Sequence, residues 1–292
     1  MYVPDVELHD TTTLEDAAAA MARYGPNARL LAGGTDLLVD LKTGRARFGH
    51  LVSINRIEAL RGVAETAGGL RVGALTTITQ LDRSPIVRER FSPILDATRK
   101  MAVPQIRNVA TVGGNIAGAV PCADLPPILA AMNASVVLWS AKGERNVPLD
   151  AFFVGPRQTV LRDDEVLTTV FVPSLPPGFG VAYARFQLRD ANAIAVAAVA
   201  VGLMLDRDNT VRDARVVLGA VAPIPRLAPQ ASAALIGQPP DERVFRSAAD
   251  AAMQAAEPIS DVRGSADFRR EIVGVLTRRA LATAYRRARE PQ

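Results

Sequence analysis

Leu30-Leu31-Ala32-Gly33-Gly34-Thr35-Asp36-Leu37 decides how this chain is read. A short apolar run, Arg29 to Ala32, stops abruptly at a glycine pair and gives way to small polar residues. Some eighty residues on, Thr111-Val112-Gly113-Gly114-Asn115 sets a second glycine pair in an Ala-rich segment. Glycine permits positive φ and carries no Cβ, so successive backbone N–H groups can converge on one anion. A hydrogen bond to a charged group contributes roughly 1.5–3 kcal/mol net. A few such amides, with the Thr35, Thr111 and Asn115 side chains, can therefore hold a pyrophosphate without lysine. Either loop alone reads better as an ordinary turn. Neither fits G-x-G-x-x-G or G-x-x-x-x-G-K-[ST], which sets aside a Rossmann enzyme and a P-loop NTPase. Two such nests suit one extended dinucleotide lying between two lobes.

Outward from these loops, Thr13 to Arg23 reads as a helix, with Thr13 as N-cap and acids in its first turn. Leu51 to Ile54 and Leu70 to Gly73 read as strands, and Thr76 to Asp82 and Pro85 to Lys100 as helices. Arg107 to Asp124 is Gly- and Ala-rich with few helix signals and reads as loop backbone in close approach to something else. Ser135 to Trp139 and Glu165 to Val172 read as strands, the second after a turn at Asp163-Asp164. Pro173 to Gly180 is linker-like. Beyond it, strands are expected at Val181 to Leu188, Ala193 to Leu205 and Val211 to Gly219. Helices follow at Arg226 to Ile236, Asp241 to Ala255 and Phe268 to Arg289. Strands followed by helices make an α+β arrangement.

Composition narrows the function classes. The 292 residues are 49% hydrophobic and 22% charged, the balance of a folded, soluble protein. Met1 to Asp10 lacks the apolar run of a signal peptide. The longest uncharged apolar stretch, Ala191 to Leu205, is too short to span a bilayer, so a cytoplasmic location is expected. The formal charge is +4 and the pI near 9.6. Only Lys42, Lys100 and Lys142 of the 34 basic residues are lysine, and the arginines are scattered among nearly as many acids. The one dense run, Arg278-Arg279 to Arg289, lies on an expected helix and reads as a solvated or docking face, so no nucleic-acid partner is expected. A single cysteine, Cys122, excludes an internal disulfide, zinc ribbon or iron–sulfur cluster. It is either a small buried residue or a redox group. Two histidines, His9 and His50, are too few for a His-rich metal site, and no metal is expected.

Five segments in order then carry a resemblance: Ala32 to Leu38 (AGGTDLL); Arg107 to Ile116 (RNVATVGGNI) with Ala123-Asp124-Leu125; Phe152 to Leu161 (F-F-x-G-x-R-x-T-x-L) leading into Asp164-Glu165-Val166-Leu167; Tyr183-x-Arg185-Phe186-x-x-Arg189; and Ile259 to Ser265 (ISDVRGS) with Phe268-Arg269-Arg270. With these segments the chain resembles the flavoprotein (medium) subunit of the xanthine dehydrogenase and carbon monoxide dehydrogenase family of molybdenum hydroxylases. The resemblance implies a two-lobed FAD-binding fold of the vanillyl-alcohol-oxidase (PCMH) type over residues 1–175, with lobes of roughly 1–55 and 56–175. A small α/β C-terminal domain over 176–292 would follow.

The resemblance also implies site residues and partners. Leu31, Ala32, Gly33, Gly34, Thr35, Asp36 and Leu37 would wrap the FAD pyrophosphate with Thr111, Val112, Gly113, Gly114 and Asn115. Asp124 would accept hydrogen bonds from ribitol or ribose hydroxyls, or cap the helix opened by Leu-Pro-Pro, or both. Leu167 and Arg185 correspond to positions near the isoalloxazine, where a cation would stabilise the reduced ring; the family often has lysine at the second. Tyr183 would border the ring or pack between domains, and Met101 would touch the cofactor or sit in the core. The FAD would be non-covalent. Molybdopterin and two [2Fe–2S] clusters would lie on partner subunits, in a dimer of heterotrimers, with electrons passing from the clusters through the flavin to an external acceptor. No catalytic residue acting on substrate is expected here. A stand-alone FAD oxidase or dehydrogenase of the same fold is the alternative; it often tethers flavin through His or Cys, and no histidine lies near either glycine pair.

Overall fold

A computed structural model describes residues 4–290; the outermost residues of both expected domains, 1–3 and 291–292, lie outside it. The chain begins with strand β1 (Glu7–Asp10), helix α1 (Leu14–Tyr24), β2 (Ala28–Leu31), α2 (Leu37–Lys42) and β3 (His50–Ser53). The Thr13 side chain accepts the Asp16 N–H, capping α1 as its sequence requires. The three strands form a parallel sheet in the order β1-β3-β2. Ala17 of α1 packs on it with Ala28, Val52 and Ile54.

Next come β4 (Val63–Thr66), β5 (Gly69–Gly73), α3 (Ile78–Arg83), α4 (Pro85–Arg90), α5 (Leu95–Thr98), α6 (Pro104–Arg107), α7 (Val112–Ala117) and α8 (Leu125–Ala131). They are followed by β6 (Ser135–Ser140), β7 (Gly143–Pro148), the small hairpin β8 (Phe153–Gly155) and β9 (Gln158–Thr159), and β10 (Val166–Pro173). The sheet β4-β5-β10-β6-β7 is antiparallel. One expected helix and one expected loop need correction here. Pro85 to Lys100 is not one helix: α4 ends at Arg90, a 3₁₀ turn spans Ser92–Ile94, and α5 follows. Pro93 lacks the N–H that a continuous helix would need there. Arg107 to Asp124 is not all loop, because Gly113 and Gly114 lie inside α7.

The last third contains β11 (Phe179–Phe186), β12 (Ala197–Leu205), β13 (Val211–Gly219), β14 (Arg226–Leu227), α9 (Pro229–Ala233), α10 (Glu242–Ala255) and α11 (Ala266–Arg289). The expected helix from Arg226 to Ile236 is instead a strand residue pair followed by a single turn beginning at Pro229. The linker-like stretch is shorter than expected, because Phe179 and Gly180 already pair with Met204 and Leu203.

Strand β12 explains the longest apolar run. Ala197, Val199, Val201 and Leu203 pack with α10 and α11, including Ala248, Ala252, Leu276, Ala280 and Ala284. Ala198 and Ala200 face the other way, into the core that contains Leu125, Ile128 and Leu129 of α8. A strand covered on both faces has no polar side, so it reads as continuous rather than alternating. No helix among the described residues is long and apolar enough to cross a membrane.

Candidate functional site: a cleft between two glycine-bearing segments

Strand β2 delivers the chain to the first glycine pair, and the pair's geometry fixes what stands opposite. Gly33 lies so close to the Val109 carbonyl that a Cβ there would sit 1.9 Å from its oxygen. Gly34 has φ +70°, a left-handed value that L side chains resist. Together they turn the chain from β2 into α2 while its backbone touches the segment leading to α7. Between the two lies a cleft of about 240 Å³, lined by Ala32 to Leu37 on one side and by Ala110, Thr111, Gly114 and Asn115 on the other. The fold thus brings together two segments that are some eighty residues apart in sequence.

Their backbones do different jobs. The N–H groups of Gly33, Gly34, Thr35, Asp36 and Leu37 find no acceptor within the described chain. Five consecutive donors at a cleft wall form an anion-seeking surface. In the second segment the expected amide nest is not formed. Val112 N–H donates to the Thr76 carbonyl and Gly113 N–H to the Ala74 carbonyl, both at 2.9 Å. Gly114 N–H donates to Thr111 Oγ1 at 3.0 Å, and Asn115 N–H to the Thr111 carbonyl at 2.9 Å. Thr111 is the N-cap of α7, so this segment offers side chains to the cleft rather than main-chain donors. One of these, Asn115, has a buried Oδ1 with no hydrogen-bond partner.

The cleft lining carries two arginines and two acids, Arg29, Arg157, Asp36 and Asp40. Arg157 pairs with Asp40 through both terminal guanidinium nitrogens, Nη1 and Nη2. Burial raises the Asp36 carboxyl above its ordinary range, and Arg157 offsets part of that rise. Arg157 belongs to the F-F-x-G-x-R segment, whose pattern alone gives it no role. Its φ of +59°, and its N–H donating to the Ala119 carbonyl at 2.8 Å, are features that no sequence pattern discloses.

The remaining expected residues do not reach this cleft. Leu31 packs against the cluster of Leu41, Phe48 and Leu51, whereas Leu30, packed on the opposite face against the core under α1, contributes to the cleft lining. Val112 and Gly113 are buried beside it. Met101 and Leu167 belong to the main core.

Asp124, Tyr183 and Arg185 form a separate buried cluster joining α8 to β11. Arg185 Nη1 lies 2.6 and 2.7 Å from the two Asp124 oxygens, and Tyr183 Oη donates to Oδ1 at 2.7 Å. Arg185 Nε and Nη2 donate to Gln187, and Nη2 also to the Ala193 carbonyl. Every guanidinium nitrogen is therefore hydrogen-bonded within the protein, and the charge is met by Asp124. Burial pushes the Asp124 carboxyl up against the opposing pull of Arg185 and Tyr183, and pushes the Tyr183 hydroxyl far above its usual range. Asp124 does not cap α8 with its side chain, which corrects the capping expectation. Cys122, two residues away, is half-buried rather than buried. Burial and then Asp124 raise its thiol above the usual value, which disfavours the reactive thiolate.

Comparison with known proteins agrees with this layout. The family described as FAD binding domain in molybdopterin dehydrogenase matches residues 4–175, and CO dehydrogenase flavoprotein C-terminal domain matches 182–284. The carbon monoxide dehydrogenase medium chain of Hydrogenophaga pseudoflava is 37% identical over 98% of this chain and 99% of its own. The xanthine dehydrogenase FAD-binding subunit of Escherichia coli O157:H7 is 33% identical over 94% of each. The solved carbon monoxide dehydrogenase of H. pseudoflava superposes with a TM-score of 0.95 over 98% of this chain and 99% of that one, at 37% identity. Quinoline 2-oxidoreductase of Pseudomonas putida 86 superposes with a TM-score of 0.92 over 99% and 100%, at 29% identity. The fold is the two-lobed FAD-binding architecture followed by a C-terminal flavoprotein domain. The chain belongs to the family of FAD-binding medium subunits of the molybdenum hydroxylases.

Proposed function

We propose that this chain holds FAD non-covalently and relays electrons within a molybdenum-dependent dehydrogenase, from iron–sulfur clusters on a partner subunit to an external acceptor. The observation that carries the reading is the run of unpartnered N–H groups from Gly33 to Leu37, a donor set that fits a diphosphate lying in the cleft. The orphaned Asn115 Oδ1 fits a ligand hydroxyl. When bound, FAD supplies redox exchange between one-electron carriers and a two-electron acceptor.

The chain's own residues do the holding. Amides 33–37 bind the diphosphate, Thr35 and Asn115 add side-chain contacts, and the Arg157–Asp40 pair fixes the wall they stand on. Thr111 keeps α7 capped, so that Gly114 presents a flat surface. Asp124, Tyr183 and Arg185 act in this reading as a clamp between the FAD-binding domain (1–175) and the C-terminal domain (176–292), keeping the flavin site rigid. Met101 and Leu167 support it from the core. A lone cysteine requires the clusters to be carried elsewhere. The partners are accordingly a molybdopterin-binding large subunit and a [2Fe–2S] small subunit, in a cytoplasmic dimer of heterotrimers.

Co-expression with the neighbouring reading frames tests this. Flavin absorption at one FAD per chain, in a complex with a cysteine-rich subunit, supports it. A colourless chain that takes up no added FAD refutes it. A flavin-bearing chain that oxidises substrate alone refutes the relay and leaves FAD binding intact.

A further inference from the structure

The chain's two histidines, 41 residues apart, meet outside the cleft. We propose that Glu7, His9 and His50 form a binding site for one divalent transition-metal ion, Zn²⁺ by preference, that staples β1 to β3.

The geometry comes from the parallel register. Glu7 stands opposite His50, and His9, two residues further along β1, lies on the same face as Glu7. His9 Nε2 and His50 Nδ1 are 3.1 Å apart. Glu7 Oε1 is 3.8 Å from the first and Oε2 is 3.5 Å from the second. Tetrahedral zinc with nitrogen and oxygen ligands at about 2.0–2.1 Å separates those ligand atoms by about 3.3 Å. The histidine–histidine edge is therefore already near that of a zinc site, and one ligand atom from each of the three residues lies within 4.8 Å of the others before any ion is added. Two imidazoles and a carboxylate make a borderline donor set that suits zinc better than magnesium or calcium.

The rings are also held. Tyr24, the last residue of α1, stacks on both imidazoles, with centroids 4.6 Å from His9 and 3.8 Å from His50. The histidine side chains are 19% and 21% exposed and Glu7 is 66% exposed, so one side of the site is open for water as a fourth ligand. Without metal, one ring nitrogen donates to the other. With metal, both bare nitrogens face the ion and each ring keeps its proton on the outer nitrogen. Two histidines alone are too few for a His-rich site; the fold adds the carboxylate as a third ligand. None of the three residues lines the glycine cleft, so the ion's role is to fasten the N-terminal strand rather than to take part in electron transfer.

The test uses the full-length protein with its flavin, stripped by a chelator and titrated with Zn²⁺ alone by calorimetry. One equivalent should bind, and the thermal midpoint should rise with it. Even changes to residues that merely orient a metal ligand cost about 10- to 100-fold in affinity, so His9→Gln and His50→Gln should each weaken binding at least tenfold while leaving FAD content unchanged. Glu7→Gln, at an exposed position, repeats the comparison should a histidine variant fail to fold. Co²⁺ in place of zinc should give the intense visible bands of a four-coordinate ion. Equal Zn²⁺ affinity in wild type and the His9→Gln/His50→Gln double variant, or a six-coordinate, aqua-like Co²⁺ spectrum, overturns the proposal.

Discussion

Gly33→Ala is the smallest change that attacks the cleft directly. The new Cβ would lie 1.9 Å from the Val109 carbonyl oxygen and 2.8 Å from its carbon. Both are backbone atoms with no rotamer to retreat into. An ordinary carbon–oxygen contact is about 3.3 Å or more, so the two cleft walls must part by more than about 1 Å. Overpacking of this kind costs about 1–3 kcal/mol of stability. Parting the walls also removes at least one amide contact to a bound diphosphate. At about 1.5–3 kcal/mol per charge-assisted hydrogen bond, FAD affinity should fall roughly 10- to 150-fold. The two effects separate by assay. Urea unfolding of the apo-protein reads the first, and fluorescence titration with FAD reads the second. As a cross-check, FAD at 100 times the wild-type Kd stabilises the wild type by about 2.7 kcal/mol, and a tenfold weaker site by only about 1.4 kcal/mol. A Gly33→Ala protein that binds FAD with wild-type affinity would refute the placement of the diphosphate against residues 33–37.

Other perturbations probe other parts of the molecule. Gly114→Val places a Cβ 2.8 Å from Thr111 Oγ1 and a branched side chain at the cleft wall; the purified variant should lose most of its flavin absorbance while its far-UV circular dichroism stays native. Arg185→Leu leaves Asp124 buried with only Tyr183 as donor, so urea unfolding should show a loss of about 3–5 kcal/mol, and an Asp124→Leu/Arg185→Leu double variant should recover much of it. Asp261 gives a pH dependence of known sign. The Arg263 N–H, 2.8 Å from Oδ1, and the guanidiniums of Arg269 and Arg263 hold its carboxyl at about 2 in the folded chain, against 3.8 ordinarily. A depressed folded value means that the stabilisation is complete above the ordinary value and is lost as pH falls from about 3.8 to about 2. Asp261→Asn should remove that part of the acid sensitivity in pH-dependent thermal melts.

What the sequence disclosed follows the range of the forces involved. Helix α1 was legible because Thr13 caps its own first turn, and the pairing of the two glycine segments was legible from their composition. The state of the second segment was not. A glycine pair reads as a turn, yet carbonyls of Ala74 and Thr76, far upstream, take the Gly113 and Val112 N–H groups and hold α7 in place. Arg185 could likewise be marked as important, but its partner lies 61 residues away. Nothing local in the sequence announces that its guanidinium is hydrogen-bonded by Asp124, Gln187 and Ala193. Pro93, by contrast, was visible in the sequence, and its disruption of the expected helix from Pro85 to Lys100 follows from proline chemistry alone.

The two-sided burial of β12 carries a consequence for how the chain can be divided. Ala198 and Ala200 belong to the same core as Leu125, Ile128 and Leu129, so cutting the polypeptide near residue 176 would strip a sheet of its cover rather than free a finished module. The C-terminal fragment made alone would expose a sticky apolar surface, and the N-terminal fragment would lose the platform beneath α8. The halves are recognisable as separate families in sequence, yet they share one core.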